Sequence, residues 1–212
     1  MHSAKDEHHG VSSHQSLKTN ITAEELNALP LKAFSGKVAL ITEASKLAAA
    51  TREIEKHGIV GFDTETRPSF KRGQIFKVAL LQLALPSKVF LIRVQQTGLP
   101  DELVSVFENE QIIKAGVAIR DDIKALQKIS RFHPGSFVEL STLAKGVGLQ
   151  VESVKKLAGL LLGFRISKSA QTSNWEAATL TEKQLEYAAT DAWVCLEIYK
   201  RLKNNFSGVT RK

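Results

Sequence analysis

Asp63 and Glu65 stand two positions apart at the end of an apolar run, Ile59 to Phe62. Alternate side chains of a strand share a face, so the two carboxylates lie side by side if this run is extended. Two like charges so placed are costly unless a cation neutralises them. The pair alone says little, because 22 acids in 212 residues supply such spacings by chance. Two further segments add weight. In Lys114 to Asp122 a strand ends and a helix begins. Ile119 lies three residues before Asp122 and Leu126 four after, which puts Asp122 on the inward helical face and Asp121 toward Lys128 and solvent. In Thr181 to Trp193, Thr181 and Gln184 form a capping box that opens a helix. Tyr187 and Asp191, four apart, project from one face of it, and the small Ala188, Ala189 and Ala192 let it lie close to a sheet.

Converging carboxylates beside a phenol suit hard divalent cations, Mg2+ or Mn2+. Two such ions ~3.5–4 Å apart serve phosphodiester hydrolysis, activating the attacking water and stabilising the leaving oxygen. The candidate metal ligands are therefore Asp63, Glu65, Asp122 and Asp191, with Tyr187 placed to orient or help deprotonate the water.

These side chains need a sheet and helices to hold them. A capping box, Thr22 to Glu25, predicts a short first helix. Lys37–Thr42 reads as a strand and 43–56 as a helix ended by Gly58. Three strands, 59–65, 78–85 and 89–94, read as a meander. Then come helix 99–109, strand 112–117, helix 119–129, a short strand at 137–140, and helices near 141–147, 152–162 and 181–203. Strands mixed with helices, followed by a helical remainder, predict one α/β domain over residues 21–212. Residues 1–20 carry four of the six histidines without apolar periodicity and read as a flexible tail rather than a metal site.

Composition narrows the classes. Apolar content of 43% and charged content of 24% exclude a disordered, collagen-like or coiled-coil chain. The longest apolar stretch, Leu157 to Phe164, is far short of the ~20 residues that span a bilayer, so no membrane is expected. No apolar signal region follows the start, and one cysteine, Cys195, forms no internal disulfide; a reducing, cytoplasmic setting fits. Cys195 reads as a small buried hydrophobe.

The net charge of +7 favours an anionic partner, and its placement says more. Bases without acids fill Thr66 to Lys77 (Arg67, Lys71, Arg72, Lys77) and Ser153 to Trp175 (Lys155, Lys156, Arg165, Lys168), and further bases close the chain. They are either solvated faces or rails for a phosphate backbone. Phe70 and Phe76, among the first group, either stack on bases or pack their loop. Lys168, Gln171 and Asn174 either line a substrate groove or sit on the surface. On the functional reading, Arg67, Lys71, Arg72, Lys168 and Asn174 contact nucleic acid.

Together the segments resemble the DEDD superfamily of 3′–5′ exonucleases in its tyrosine subtype, the branch of ribonuclease D and the Werner-syndrome exonuclease domain. Phe62-Asp-Thr-Glu-Thr66 is similar to its first motif, Gly116 to Asp122 to its second, and Tyr187-Ala-Ala-Thr-Asp191-Ala-Trp193 to its third. Ser173-Asn-Trp175 and Leu180-Thr181 resemble the family's approach to that motif, and the likeness covers roughly residues 37–203. It implies a ribonuclease H-like fold with a mixed sheet between helices. It also implies that Asp63, Glu65 and Asp191 bind the catalytic metal, that Asp63 reaches a second ion with Asp122 helping through water, and that Tyr187 bonds the nucleophilic water. Nucleoside 5′-monophosphates would leave one at a time from the free 3′ end of DNA or RNA. Glu139 departs from the aspartate that relatives often carry, outside the metal set. With 21 residues after Asp191, a single-domain enzyme is implied. The alternatives are a catalytically silent nucleic-acid-binding or scaffold protein on the same fold, and an accessory subunit whose bases bind a protein or an anionic polymer other than nucleic acid.

Overall fold

Short apolar runs become strands and the amphipathic stretches become helices in the computed structural model, which describes residues 18–69 and 76–206. Phe70, Lys71, Arg72, the four N-terminal histidines and the final Arg211 and Lys212 lie outside the described residues. The strands are β1 (Lys37–Ile41), β2 (Ile59–Thr66), β3 (Val78–Ala84), β4 (Lys88–Ile92), β5 (Ile113–Gly116) and β6 (Phe137–Glu139). They form one sheet in the order β1-β4-β3-β2-β5-β6. β2, β3 and β4 make the antiparallel meander, while β1, β5 and β6 join in parallel.

The helices are α1 (Ala23–Ala28), α2 (Leu47–Ile54), α3 (Val94–Thr97), α4 (Asp101–Glu108), α5 (Ile119–Gln127), α6 (Leu140–Gly146), α7 (Val154–Leu162) and α8 (Glu182–Phe206). Both capping boxes form: Thr22 with Glu25, and Thr181 with Gln184 at 3.0 and 3.3 Å. α3 is the element the sequence does not announce, since four residues are too few to show a helical period.

Each sheet face buries its own core. On one side Phe62, Leu81 and Ile92 meet Leu47 and Ile54 of α2 and Leu103 and Phe107 of α4. Phe62 is fully buried, with the rings of Phe137 and Phe107 edge-on at 5.2 and 6.5 Å. On the other side Leu80, Ala84 and Leu91 meet Ala188, Ala189 and Ala192 of α8. α6 and α7 cover α8 in turn through Leu140, Leu157 and Ile198.

The contact that sets the site is α8 on β2. At Gly61 a β-carbon would stand 1.9 Å from the Ala192 carbonyl oxygen, so only a missing side chain lets the helix come down there. Gly61→Ala therefore forces backbone from backbone. We expect it to destabilise the fold by about 3 kcal/mol, at the upper end for an overpacked core, read by urea melts with no change in the slope.

Candidate active site

Alternation along β2 puts Val60, Phe62 and Thr64 on one side of the sheet and Gly61, Asp63 and Glu65 on the side of α8. The register irregularity between Glu65 and Thr66 ends regular pairing just after the second acid. Because α8 rests on Gly61, Asp191 descends beside this pair. One oxygen each from Asp63, Glu65 and Asp191 lies within 4.8 Å of the other two. Oxygens bound to one cation at 2.0–2.6 Å stand at most about 5 Å apart, so the three fit a single divalent ion.

The electrostatics ask for one. Burial, then the charges of Asp191 and Asp122, push the Asp63 carboxyl well above its ordinary range. Glu65 is raised from 4.5 to about 9, by burial first and then by Asp63 and Asp191. Burial raises Asp191 to about 6, held back by hydrogen bonding from the Tyr187 hydroxyl and by the charge of Lys155. Asp191 Oδ1 is buried with no hydrogen-bond partner among the described residues.

A pH dependence follows. The folded chain holds these protons more tightly than the unfolded chain does, so rising pH costs stability between the unfolded and the folded values. For Glu65 that window runs from 4.5 to about 9. With EDTA present, the melting temperature should fall from pH 5 to pH 8, and Mn2+ should restore more of it at pH 8 than at pH 5. A metal-free melting temperature that climbs across that range would contradict the geometry.

Asp122 joins from the other side. Thr64 Oγ1 donates to Asp122 Oδ1 at 2.6 Å. Since Thr64 points away from Asp63 and Glu65, Asp122 sits across the strand end and outside the tight trio, though its charge helps raise both. Its own carboxyl is raised by burial. Asp121 turns outward to Lys124 at 3.4 Å. The start of α5 is pinned: Ala118 adopts a left-handed conformation (φ 59°), and the Ile119 amide donates to Glu139 Oε2 at 3.0 Å. Glu139 Oε1 accepts from the Ser141 amide and hydroxyl at 3.2 and 2.8 Å. One carboxylate thus ties the starts of α5 and α6.

Tyr187 is buried, packed on Trp175 with ring centroids 6.0 Å apart. Burial and the charges of Asp191 and Glu65 raise its phenol, which keeps its proton.

The outer residues divide. Arg67 is exposed and already engaged, 3.6 Å from Glu176 and stacked over Phe76 at 5.1 Å. Asn174 Oδ1 accepts from the Glu176 amide at 3.2 Å, and its carbonyl accepts from Gln184, so this residue shapes the turn before α8. Lys168 is exposed on the rim of a groove. Cys195 is buried, and burial pushes its thiol up.

Two residues near the acids carry no local pattern that ties them to the site. Gln82 of β3 pairs directly with Asp63 and is fully buried, with neither amide atom bonded among the described residues. Its signal was present as the lone polar residue in the run from Val78 to Leu85. Lys155 belongs to a basic stretch, but only the packing of α7 brings it close enough to influence Asp191.

Comparison with known proteins identifies the family and the fold that carry this site. The sequence model of a family described as 3'-5' exonuclease matches residues 38–207. The chain is 36% identical over 186 residues to the mouse bifunctional 3'-5' exonuclease/ATP-dependent helicase WRN, a match that takes in 83% of the chain and 13% of that protein. It is 27% identical over 191 residues to ribonuclease D of Bartonella henselae, covering 88% of the chain and 46% of the relative. The chain thus spans less than half of either protein. Among solved structures, the Nibbler EXO domain of Aedes aegypti superposes with a TM-score of 0.73 at 26% identity, over 84% of this chain and 94% of that one. Escherichia coli RNase D superposes at 0.72 and 24% identity, over 79% of this chain and 44% of the other. The sheet order and flanking helices are those of the ribonuclease H-like fold. With a three-carboxylate cluster and a buried tyrosine at its centre, and a family match from β1 to the end of α8, the chain belongs to the 3′–5′ exonuclease family.

Proposed function

We propose that this chain is a metal-dependent 3′–5′ exonuclease that removes nucleoside 5′-monophosphates singly from the free 3′ end of DNA or RNA. The observation that carries this reading is the close trio of carboxylate oxygens, half-buried at Asp63 and Glu65 and buried at Asp191, which one divalent cation fits and which its absence makes costly. Asp63, Glu65 and Asp191 would hold Mg2+ or Mn2+, with Asp63 and Asp122 facing a second ion. Ions so held supply an activated water and a counter-charge for the leaving oxygen. Tyr187, whose phenol stays protonated beside Asp191, orients the attacking water rather than taking its proton. The names of the relatives, exonuclease and ribonuclease D, support the reaction class.

The test is direct. With Mg2+ or Mn2+, a 5′-labelled strand should shorten one nucleotide at a time and nucleoside 5′-monophosphate should accumulate; EDTA should stop both. Shortening from the 5′ end, or none with either metal, would refute the proposal.

A further inference from the structure

The bases of the Ser153 to Trp175 stretch gather around one groove. It measures about 620 Å³, with α1 on one side and the segment 165–171 on the other. Its charged lining is Lys155, Lys156, Arg165 and Lys168, and no carboxylate lines it. Among the described residues, none of these four has an acid within ion-pair distance, whereas Lys18, Lys46, Arg67, Lys88, Lys124, Lys145 and Lys200 each do. Lys155 Nζ donates to Gln171 Oε1 at 3.2 Å and faces the acids, while Lys156, Arg165 and Lys168 have no acidic partner among the described residues; cations so gathered in a concavity focus a positive field outward.

The groove is held in shape and it leads to the acids. Residues 30–32 run alongside Arg165: its amide donates to the Pro30 carbonyl at 3.0 Å, and its carbonyl accepts from Lys32 at 2.9 Å. The Arg165 guanidinium also donates to the Leu29 carbonyl at 3.1 Å. Leu31 and Ser167 are shared with a smaller pocket whose lining includes Tyr187 and Asp191. Lys155 stands at the junction, within electrostatic reach of Asp191 and Glu65 on one side and Lys168 on the other.

We propose that this groove carries the phosphodiester backbone of a single strand just behind its 3′-terminal nucleotide, with Lys155 nearest the reacting end and Lys168, Lys156 and Arg165 along the strand. The proposal rests on the exonuclease reading for the direction of the strand. A concavity of this size accepts a ligand of dinucleotide size, not a double helix. Its charged contacts are to backbone rather than base edges, so recognition is sequence-tolerant.

The experiment compares the full chain with Lys156→Glu/Lys168→Glu and with the milder Lys156→Gln/Lys168→Gln. Both positions are exposed, and Arg165 is left alone because it supports the wall. On single strands of two to twelve nucleotides, wild-type kcat/KM should climb with length; in the Glu pair the climb should flatten, with about a tenfold loss on the longest strand, and the Gln pair should fall between. Binding of a fluorescent twelve-mer in EDTA should weaken in parallel. The slope of log affinity on log salt should become shallower by about 1.4, the value for two lost single-strand phosphate contacts. Equal loss at every length with an unchanged salt slope would overturn the groove and leave the exonuclease reading standing. A wild type that cleaves nothing, with binding that still depends on the two lysines, would overturn the reaction and keep the groove as a binding site for the strand.

Discussion

Replacing Asp191 with asparagine is expected to cut nucleotide release about a thousandfold, the rate equivalent of about 4 kcal/mol of lost charge stabilisation. The amide keeps the size of the side chain but removes the negative charge from a cluster whose three oxygens lie within 4.8 Å. The same substitution should raise the melting temperature of the metal-free protein. Asp191 adds to the repulsion that lifts Asp63 and Glu65, and its own buried Oδ1 has no hydrogen-bond partner among the described residues. Activity and stability thus move in opposite directions. Thermal melts in EDTA beside the strand-shortening assay read both. An active Asp191→Asn would take this carboxylate out of the machinery. An inactive variant that melts lower without metal would mean that Asp191 supports the fold instead.

Tyr187→Phe is the second large effect: kcat should drop about a hundredfold, the cost of a misplaced reacting group. The ring stays, so its packing on Trp175 and the position of α8 survive. Mn2+ affinity at alkaline pH should hold, because the three carboxylates are present and ionised there with or without the hydroxyl. One further change separates water orientation from mere packing. The Tyr187 hydroxyl lowers the Asp191 carboxyl, which otherwise burial would raise beyond about 6. Without it, Asp191 keeps its proton to higher pH, and the acid limb of the pH–rate profile should shift upward. Unchanged kcat with an unmoved acid limb would assign Tyr187 to packing alone.

Much of this site is legible in the sequence because its spacings are local. The period of two puts Asp63 and Glu65 together, the period of 3.6 puts Tyr187 and Asp191 together, and helical phase alone turns Asp122 inward and Asp121 outward. The small residues of α8 announce a close approach, which the structure realises on Gly61. What is illegible depends on pairing between distant segments. That Thr64 holds Asp122 from the opposite side of β2 follows from where α5 packs, and no local pattern encodes that. Gln82 becomes notable only once β3 sets it against Asp63. Lys155 gains its position from α7, and Arg67 and Asn174 reveal their local engagements only in three dimensions.

The trio draws on chain positions separated by more than half the sequence, Asp63 and Glu65 before the middle and Asp191 near the end. An ion gripped by both ends acts as a reversible staple: it closes a very long loop that the unfolded chain would otherwise be free to explore. Because the ion favours only the folded form, its free concentration enters the folding equilibrium directly. Protease resistance of the whole chain should therefore track divalent-ion supply, so that mineral starvation shortens the lifetime of the molecule as well as idling it.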